Sequence, residues 1–484
     1  MDAEGYYRAL SARDARFDGA FFVGVTTTGI YCRPICPVRT PGRDRCVFFR
    51  RATEAERDGF RACFRCRPEL APGGANVDAL PALVQAALAR IDRGYLNEHS
   101  VDELAAELGV TPRHLRRATE AELGVSPVEL AQSRRLALAK QLLQDTDLSL
   151  TDIAFASGFS SVRRYNALFS ARFGKPPSAV RRGHGGRRAA TADALEEPIA
   201  LRLDYRPPFE WETLLRFIGD RAIPGVESVK DGVYRRTVRI DGKCGAVSVH
   251  HDPAKPVLWA RVSLSLASVL MPLRARLRAL FDLDAHPLII AEHLGKDPVL
   301  GPFVMARPGL RVPGAFDRFE TAVRAIAGQL VSVRAATTLS GRIARAFGET
   351  LENGDCLFPS AEVLARASVD QVASQGFPRA RASAIIGLAR VVADGTLVLE
   401  DDGVAPEAKI QAFEALPGFG DWTAQYMAMR VLGWPDAFPA SDLGVRKALG
   451  MAPPKAVRDM AEPWRPWRAY AVMHLWTSLA SGGG

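Results

Sequence analysis

Apolar residues recur at helical spacing over residues 80–182, where short glycine turns interrupt a Leu-, Ala- and Arg-rich stretch. Over residues 198–309 the pattern changes to partial alternation, as in Gly232–Ile240 and Cys244–His250, which predicts strands. From about residue 313 to 480 the helical period returns. Residues 1–75 carry a cysteine cluster and end in the loop Ala71-Pro72-Gly73-Gly74, and residues 183–197, Gly/Arg- then Ala-rich, read as a linker. One repeat is visible: Ser100–Leu115 and Ser149–Phe169 each predict a helix, a glycine turn and a second helix.

A chain of 484 residues is too long for one core, and two to four domains are expected. With 48% hydrophobic and 24% charged residues it has the composition of a folded globular protein. The formal charge of +9 suits a polyanionic partner, though weakly. Asp2, Glu4 and Arg8 interrupt the start of the chain and no apolar run is long enough for a bilayer, so a cytoplasmic protein without a membrane partner is expected.

Five of the seven cysteines fall within Cys32–Cys66. Cys32-x-x-x-Cys36 and Cys63-x-x-Cys66, 26 residues apart, are two close pairs able to close a tetrahedral thiolate site around one zinc ion. Spacing alone favours a structural zinc. Cys46 lies outside the pattern and reads as an ordinary half-buried cysteine.

In the helical repeat, Gly109 permits a tight turn, Thr111 can cap a second helix, and Pro112 suits its first position. The second copy, around Gly158, is followed by a basic stretch: Ile153–Thr191 holds eight Arg or Lys and no Asp or Glu. A long helix, about Val128–Gln144, is expected between the copies.

In the C-terminal part, Leu416-Pro417-Gly418-Phe419-Gly420-Asp421-Trp422-Thr423 predicts a helix from about Glu407, a hairpin with bare backbone, and a second helix from near Trp422. Glycines there let a phosphate approach main-chain N–H groups. One helix further on, Asp442 can cap the helix Leu443–Leu449.

These motifs carry specific resemblances. Thr26-Thr27-Thr28-Gly29-Ile30-Tyr31-Cys32-Arg33-Pro34-Ile35-Cys36 with Gly59–Cys66 resembles the N-terminal domain of the Ada family. That resemblance implies that Cys32, a ligand with Cys36, Cys63 and Cys66, takes a methyl group from a DNA methylphosphotriester. Losing one negative charge would then weaken repulsion from phosphates. Arg33 and Arg39 are expected to face the DNA backbone. Gly158-Phe159-Ser160 and Phe169–Pro177 resemble the AraC-type DNA-binding domain. The resemblance implies recognition helices at about 112–119 and 161–170, with Arg113, His114, Arg116, Ser161, Arg163 and Arg164 exposed to promoter DNA.

The hairpin followed by Asp436–Gly444 is similar to the helix-hairpin-helix glycosylase superfamily, and within it to the AlkA family of 3-methyladenine glycosylases. Pro207–Trp211, Pro308–Gly314, Ala327–Val333 and Pro466–Trp476 support the narrower likeness. It implies that Asp442 is the catalytic carboxylate, with Asp436 a minor alternative. Trp422, Trp476 and Tyr426 would line the base pocket, and Leu330 would wedge into the gap left by a flipped base. Gln329, Gly418, Gly420 and Thr423 would contact DNA. Trp422 stands where bifunctional relatives carry a Schiff-base lysine, implying a monofunctional enzyme with water as nucleophile. No cysteine follows Cys356, so no iron–sulfur cluster is expected. Ser441 replaces the second Asp of AlkA, and the Pro-Cys-His-Arg acceptor of Ada is absent.

The expected architecture is multidomain. It comprises a small α+β zinc domain (1–75), an all-α double helix-turn-helix domain (80–182), a linker (183–197), an α+β antiparallel-sheet domain (198–309) and an all-α helix-hairpin-helix glycosylase domain (310–480). The expected function is excision of alkylated purines fused to a methylation-sensing regulator. Double-stranded DNA is the expected partner, RNA polymerase a further one, and the location cytoplasmic and nucleoid-associated. The alternative is a mainly regulatory activator with a damage-binding, weakly catalytic C-terminal half.

Overall fold

The computed structural model describes residues 2–73, 80–183 and 198–481. Most of the expected linker, 184–197, lies outside these residues. The chain divides into two compact units, Met1–Pro207 with Ile240–Ala275, and Pro208–Arg239 with Arg276–Gly484. The division runs through the strand-rich segment 198–309 rather than along its edges, because the strand Ile199–Asp204 pairs antiparallel with Val257–Val262.

The first unit opens on a small sheet. Phe22–Val25 pairs antiparallel with Cys46–Phe49 and with Ile30–Cys32, and Ile30–Cys32 pairs parallel with Arg61–Ala62. Gly29, at φ +63°, closes the hairpin that a side chain would strain. Helices follow at Ala82–Asp92, Val101–Glu107, Pro112–Leu123, Pro127–Asp145, Leu150–Ala156 and Val162–Phe173. Their ends are encoded locally. Ser100 and Ser126 form capping boxes with Glu103 and Glu129, Thr111 and Ser161 cap the recognition helices, and Gly124 and Gly174 end them in the left-handed conformation. Gly109 and Gly158, both at positive φ, make the two turns. Each recognition helix runs about one turn further than the resemblance implied, to Leu123 and Phe173.

Glu227–Lys230 and Val233–Ile240, in the second unit up to Arg239, form a hairpin over Asp231-Gly232, both left-handed. The remainder is helical, around a core that includes Ile326, Ile385, Phe413, Met427 and Leu475. Among the described residues, strand pairing in the C-terminal part is limited to Glu349–Thr350 with Cys356–Leu357, two residues each. The helix Pro406–Glu414 stops three residues before Pro417, and Asp421–Arg430 begins just after the hairpin glycines. Gly418 sits at φ +87°, and an added Cβ would press to 3.1 Å on the Ala384 methyl. Both glycines are exposed, which leaves the hairpin backbone open to an approaching phosphate.

Candidate active site, metal centre and DNA-reading helices

The register Tyr31↔Ala62 brings the end of one strand beside the start of the second cysteine pair. The sulfurs of Cys32, Cys36, Cys63 and Cys66 consequently lie within 4.8 Å of one another, all buried. A tetrahedral zinc with Zn–S bonds of about 2.3 Å sets its sulfurs about 3.8 Å apart, so the donor set fits. Backbone N–H groups support the outer side of the site: Arg33 N donates to Cys66 Sγ at 3.3 Å and Arg65 N to Cys63 Sγ at 3.4 Å. Among the described residues no N–H group reaches Cys32 Sγ. A divalent cation held by these four residues would take all of them as thiolates. Cys46 donates to Gly42 O instead and stays outside the cluster.

In the N-terminal half, two expectations for side chains facing DNA need correction. Arg39 is exposed, but Arg33 is 1% exposed and is ion-paired to Asp18 and Asp204, so it does not face a DNA backbone. Ser161 is half-buried, and its hydroxyl accepts from Arg164 N as the helix cap. Arg113, His114, Arg116, Arg163 and Arg164 are exposed at the starts of their helices.

Asp442 caps the helix Leu443–Ala448, with Oδ1 accepting from Val445 N at 2.9 Å. The indole N–H of Trp476 donates to the same oxygen at 2.8 Å, and that of Trp422 to Oδ2 at 2.8 Å. Three N–H donors thus fix one half-buried carboxylate. Trp422 stacks on Tyr426, with centroids 5.2 Å apart and an interplanar angle of 22°. Asp436 is not a second acid at this site: it is buried in an ion pair with Arg468 at 2.7 Å and bonded to Arg465. Ser441 donates weakly to Asp421, at 3.4 Å.

Leu330 is 98% exposed at φ +54°, a costly position for a bare apolar side chain that packs on nothing. Beside it, Gln329 Nε2 donates to Gly418 O at 3.0 Å and Thr423 Oγ1 at 2.9 Å, tying this loop to the hairpin. Thr423 is buried, so its side chain serves that tie and not the DNA surface.

Several residues at the site carried no local signal. Phe217 stacks parallel on Trp476, with centroids 6.0 Å apart at 12°. The Arg221 guanidinium lies 3.7 Å from the Phe217 ring centre. Arg430 donates to Tyr426 Oη at 3.2 Å. Burial raises the Tyr426 phenol, but Arg430, Arg221 and Arg324 outweigh it and hold the phenol below its ordinary value. Arg430 itself is lowered, by burial first and then by repulsion from Arg221 and Arg324.

A four-cysteine metal site, paired helix-turn-helix units and a helix-hairpin-helix fold around a capped, indole-bonded aspartate define a base-excision repair protein joined to a DNA-binding regulator. Family models agree segment by segment: the metal binding domain of Ada matches residues 5–69, a helix-turn-helix domain 104–183, the AlkA N-terminal domain 200–317, and the HhH-GPD superfamily of base excision DNA repair proteins 323–453. The chain is 42% identical over 486 residues to a "probable bifunctional transcriptional activator/DNA repair enzyme AlkA" of Mycobacterium tuberculosis, covering 99% of this chain and 97% of that one. It belongs to that family of bifunctional activator/repair proteins. It is also 38% identical to DNA-3-methyladenine glycosylase 2 of Escherichia coli, over 57% of this chain and 95% of that protein. The fold matches that of a 3-methyladenine DNA-glycosylase from Archaeoglobus fulgidus with a TM-score of 0.51 at 22% identity, over 58% of this chain and 99% of that one. No helix among the described residues is long and apolar enough to cross a membrane.

Proposed function

We propose that the C-terminal half hydrolyses the N-glycosidic bond of alkylated purines such as 3-methyladenine, with Asp442 as the catalytic carboxylate. The observation that carries this is the Asp442 carboxylate held by Trp422, Trp476 and Val445 N–H groups beside an open glycine hairpin. As the C1′–N bond breaks, its electron pair leaves with the purine, and oxocarbenium character on the sugar is stabilised by the fixed anion. Water then adds to C1′ and loses its proton. The indole and phenol faces of Trp422, Trp476 and Tyr426 favour a flat cationic base, a preference of roughly 1–2 kcal/mol. Leu330 fills the gap in the duplex.

Cys32 is the proposed methyl acceptor. Its sulfur attacks the methyl carbon of a phosphotriester, the C–O bond breaks, and an ordinary phosphodiester anion leaves. Bound zinc would keep this sulfur a thiolate at neutral pH. The absence of N–H donors to Cys32 Sγ among the described residues supports its choice over Cys63 and Cys66, since a hydrogen-bonded thiolate is a poorer nucleophile. Methylation then strengthens promoter binding through Arg113, Arg116, Arg163 and Arg164, with RNA polymerase the partner that activation requires and the nucleoid the place of action.

The test is free-base release from duplex DNA carrying methylated purines, wild type beside Asp442→Asn. Release by wild type alone supports the enzyme. Release by neither would leave a damage-binding regulator in which Cys32 carries the activity.

A further inference from the structure

The strand Ile199–Asp204 opens the segment that matches the AlkA N-terminal domain, yet it lies in the compact unit that holds the cysteine cluster. Its end reaches into the zinc domain. Asp204 is 1% exposed and pairs at 2.8 Å with Arg33, the residue after Cys32. Arg33 is also paired to Asp18, donates Nη1 to Cys66 O at 3.2 Å, and donates its backbone N–H to Cys66 Sγ at 3.3 Å. Arg206, 1% exposed, donates to Asp18 O at 2.8 Å, Pro72 O at 3.1 Å and Gly73 O at 2.6 Å. The fit is close: a Cβ on Gly19 would stand 2.1 Å from Pro72 O and 3.1 Å from Arg206 Nη2. Gln141 of the long helix donates to Arg202 O at 2.9 Å.

Burying the Arg33 guanidinium costs several kcal/mol unless carboxylates and carbonyls replace its water. Asp18 supplies one carboxylate from within the zinc domain, and Asp204 supplies the other from 171 residues away. Arg33 in turn is the outer support of Cys66, gripping both its carbonyl and its sulfur. Partners of this kind orient metal ligands and set metal affinity.

We propose that residues 199–206 form an interaction surface that completes the metal domain: Asp204 fixes Arg33, Arg33 fixes Cys66, and zinc retention depends on the docked strand. Arg33 and Asp204 are positioning residues, since neither is a ligand. Linkage makes the effect reciprocal, so metal occupancy also holds the strand in place. The proposal rests on the cysteines binding zinc and not on Cys32 being the methyl acceptor.

The test uses full-length protein and two readouts. The first is the rate of zinc transfer to excess chromophoric chelator for wild type, Asp204→Asn, Arg33→Met and the double variant. Each single change is expected to speed release about 10-fold or more, and the double variant to release no faster than Arg33→Met. Base release from methylated DNA, unchanged in Asp204→Asn, reports that the remainder is folded. The second readout is hydrogen exchange in peptides covering residues 199–206, expected to rise when zinc is stripped. Wild-type release by Asp204→Asn, multiplying effects in the double variant, or exchange indifferent to zinc would each overturn the coupling. A wild type without stoichiometric zinc would sink the metal site itself, a distinguishable failure.

Discussion

Trp476 Nε1 donates to Asp442 Oδ1 at 2.8 Å, so a residue expected as a stacking surface also aims the carboxylate. One indole therefore has two roles, and they can be separated. Trp476→Phe keeps a ring against Phe217 and removes the donor. A hydrogen bond to a charged group is worth roughly 1.5–3 kcal/mol, so single-turnover base release should fall about tenfold or more with the affinity for damaged DNA little changed. An unchanged rate would reduce Trp476 to a stacking platform.

Asp436 tests the opposite assignment. Its carboxylate is committed to Arg468 at 2.7 Å. Asp436→Asn leaves the buried Arg468 guanidinium only its longer pair with Glu462, at 3.6 Å, and breaking a buried pair costs roughly 3–5 kcal/mol. Thermal unfolding should move down by several degrees, while base release per folded molecule at low temperature stays near wild type. A lost chemical step with full stability would restore Asp436 as an acid.

Leu330 is 98% exposed, and truncating it should not destabilise the fold by more than about 0.5 kcal/mol. Leu330→Ala should nevertheless weaken binding to DNA containing a stable abasic-site analogue, measured by fluorescence anisotropy, and slow base release. Equal binding by both proteins would show that this side chain does not enter the duplex.

His474, 4% exposed, supplies a pH dependence. Burial first, and then repulsion from Arg307, lower its pKa from 6.5 to about 4. The unfolded chain therefore binds more protons between these values. The stability contribution is complete above about pH 6.5 and is lost as pH falls toward 4, amounting to about 3 kcal/mol. Denaturant midpoints at pH 7 and pH 5 should differ less for His474→Gln than for wild type. An identical pH response would place the acid sensitivity elsewhere.

Much of this protein is written locally. The two cysteine pairs, the Ser and Thr caps, the turn glycines Gly109 and Gly158, and the Gly418–Gly420 hairpin before Asp442 each act within a few residues, because capping, turn formation and ligand spacing are short-range effects. They predict a four-cysteine zinc site, two helix-turn-helix units and a glycine hairpin ahead of a helix-capping Asp442, while the recognition and catalytic roles come from the resemblance to the Ada, AraC and AlkA families. What only the tertiary structure decided is which side chains lose their water and to whom. Arg33, read as facing DNA, is buried because Asp18 and Asp204 reach it from distant segments. Phe217 becomes part of the aromatic wall because its helix packs where Trp476 arrives from the C-terminal helix. Thr423 turns inward because Gln329 crosses to meet it. Burial and charge pairing depend on contacts between segments far apart in the chain, and no local pattern encodes them.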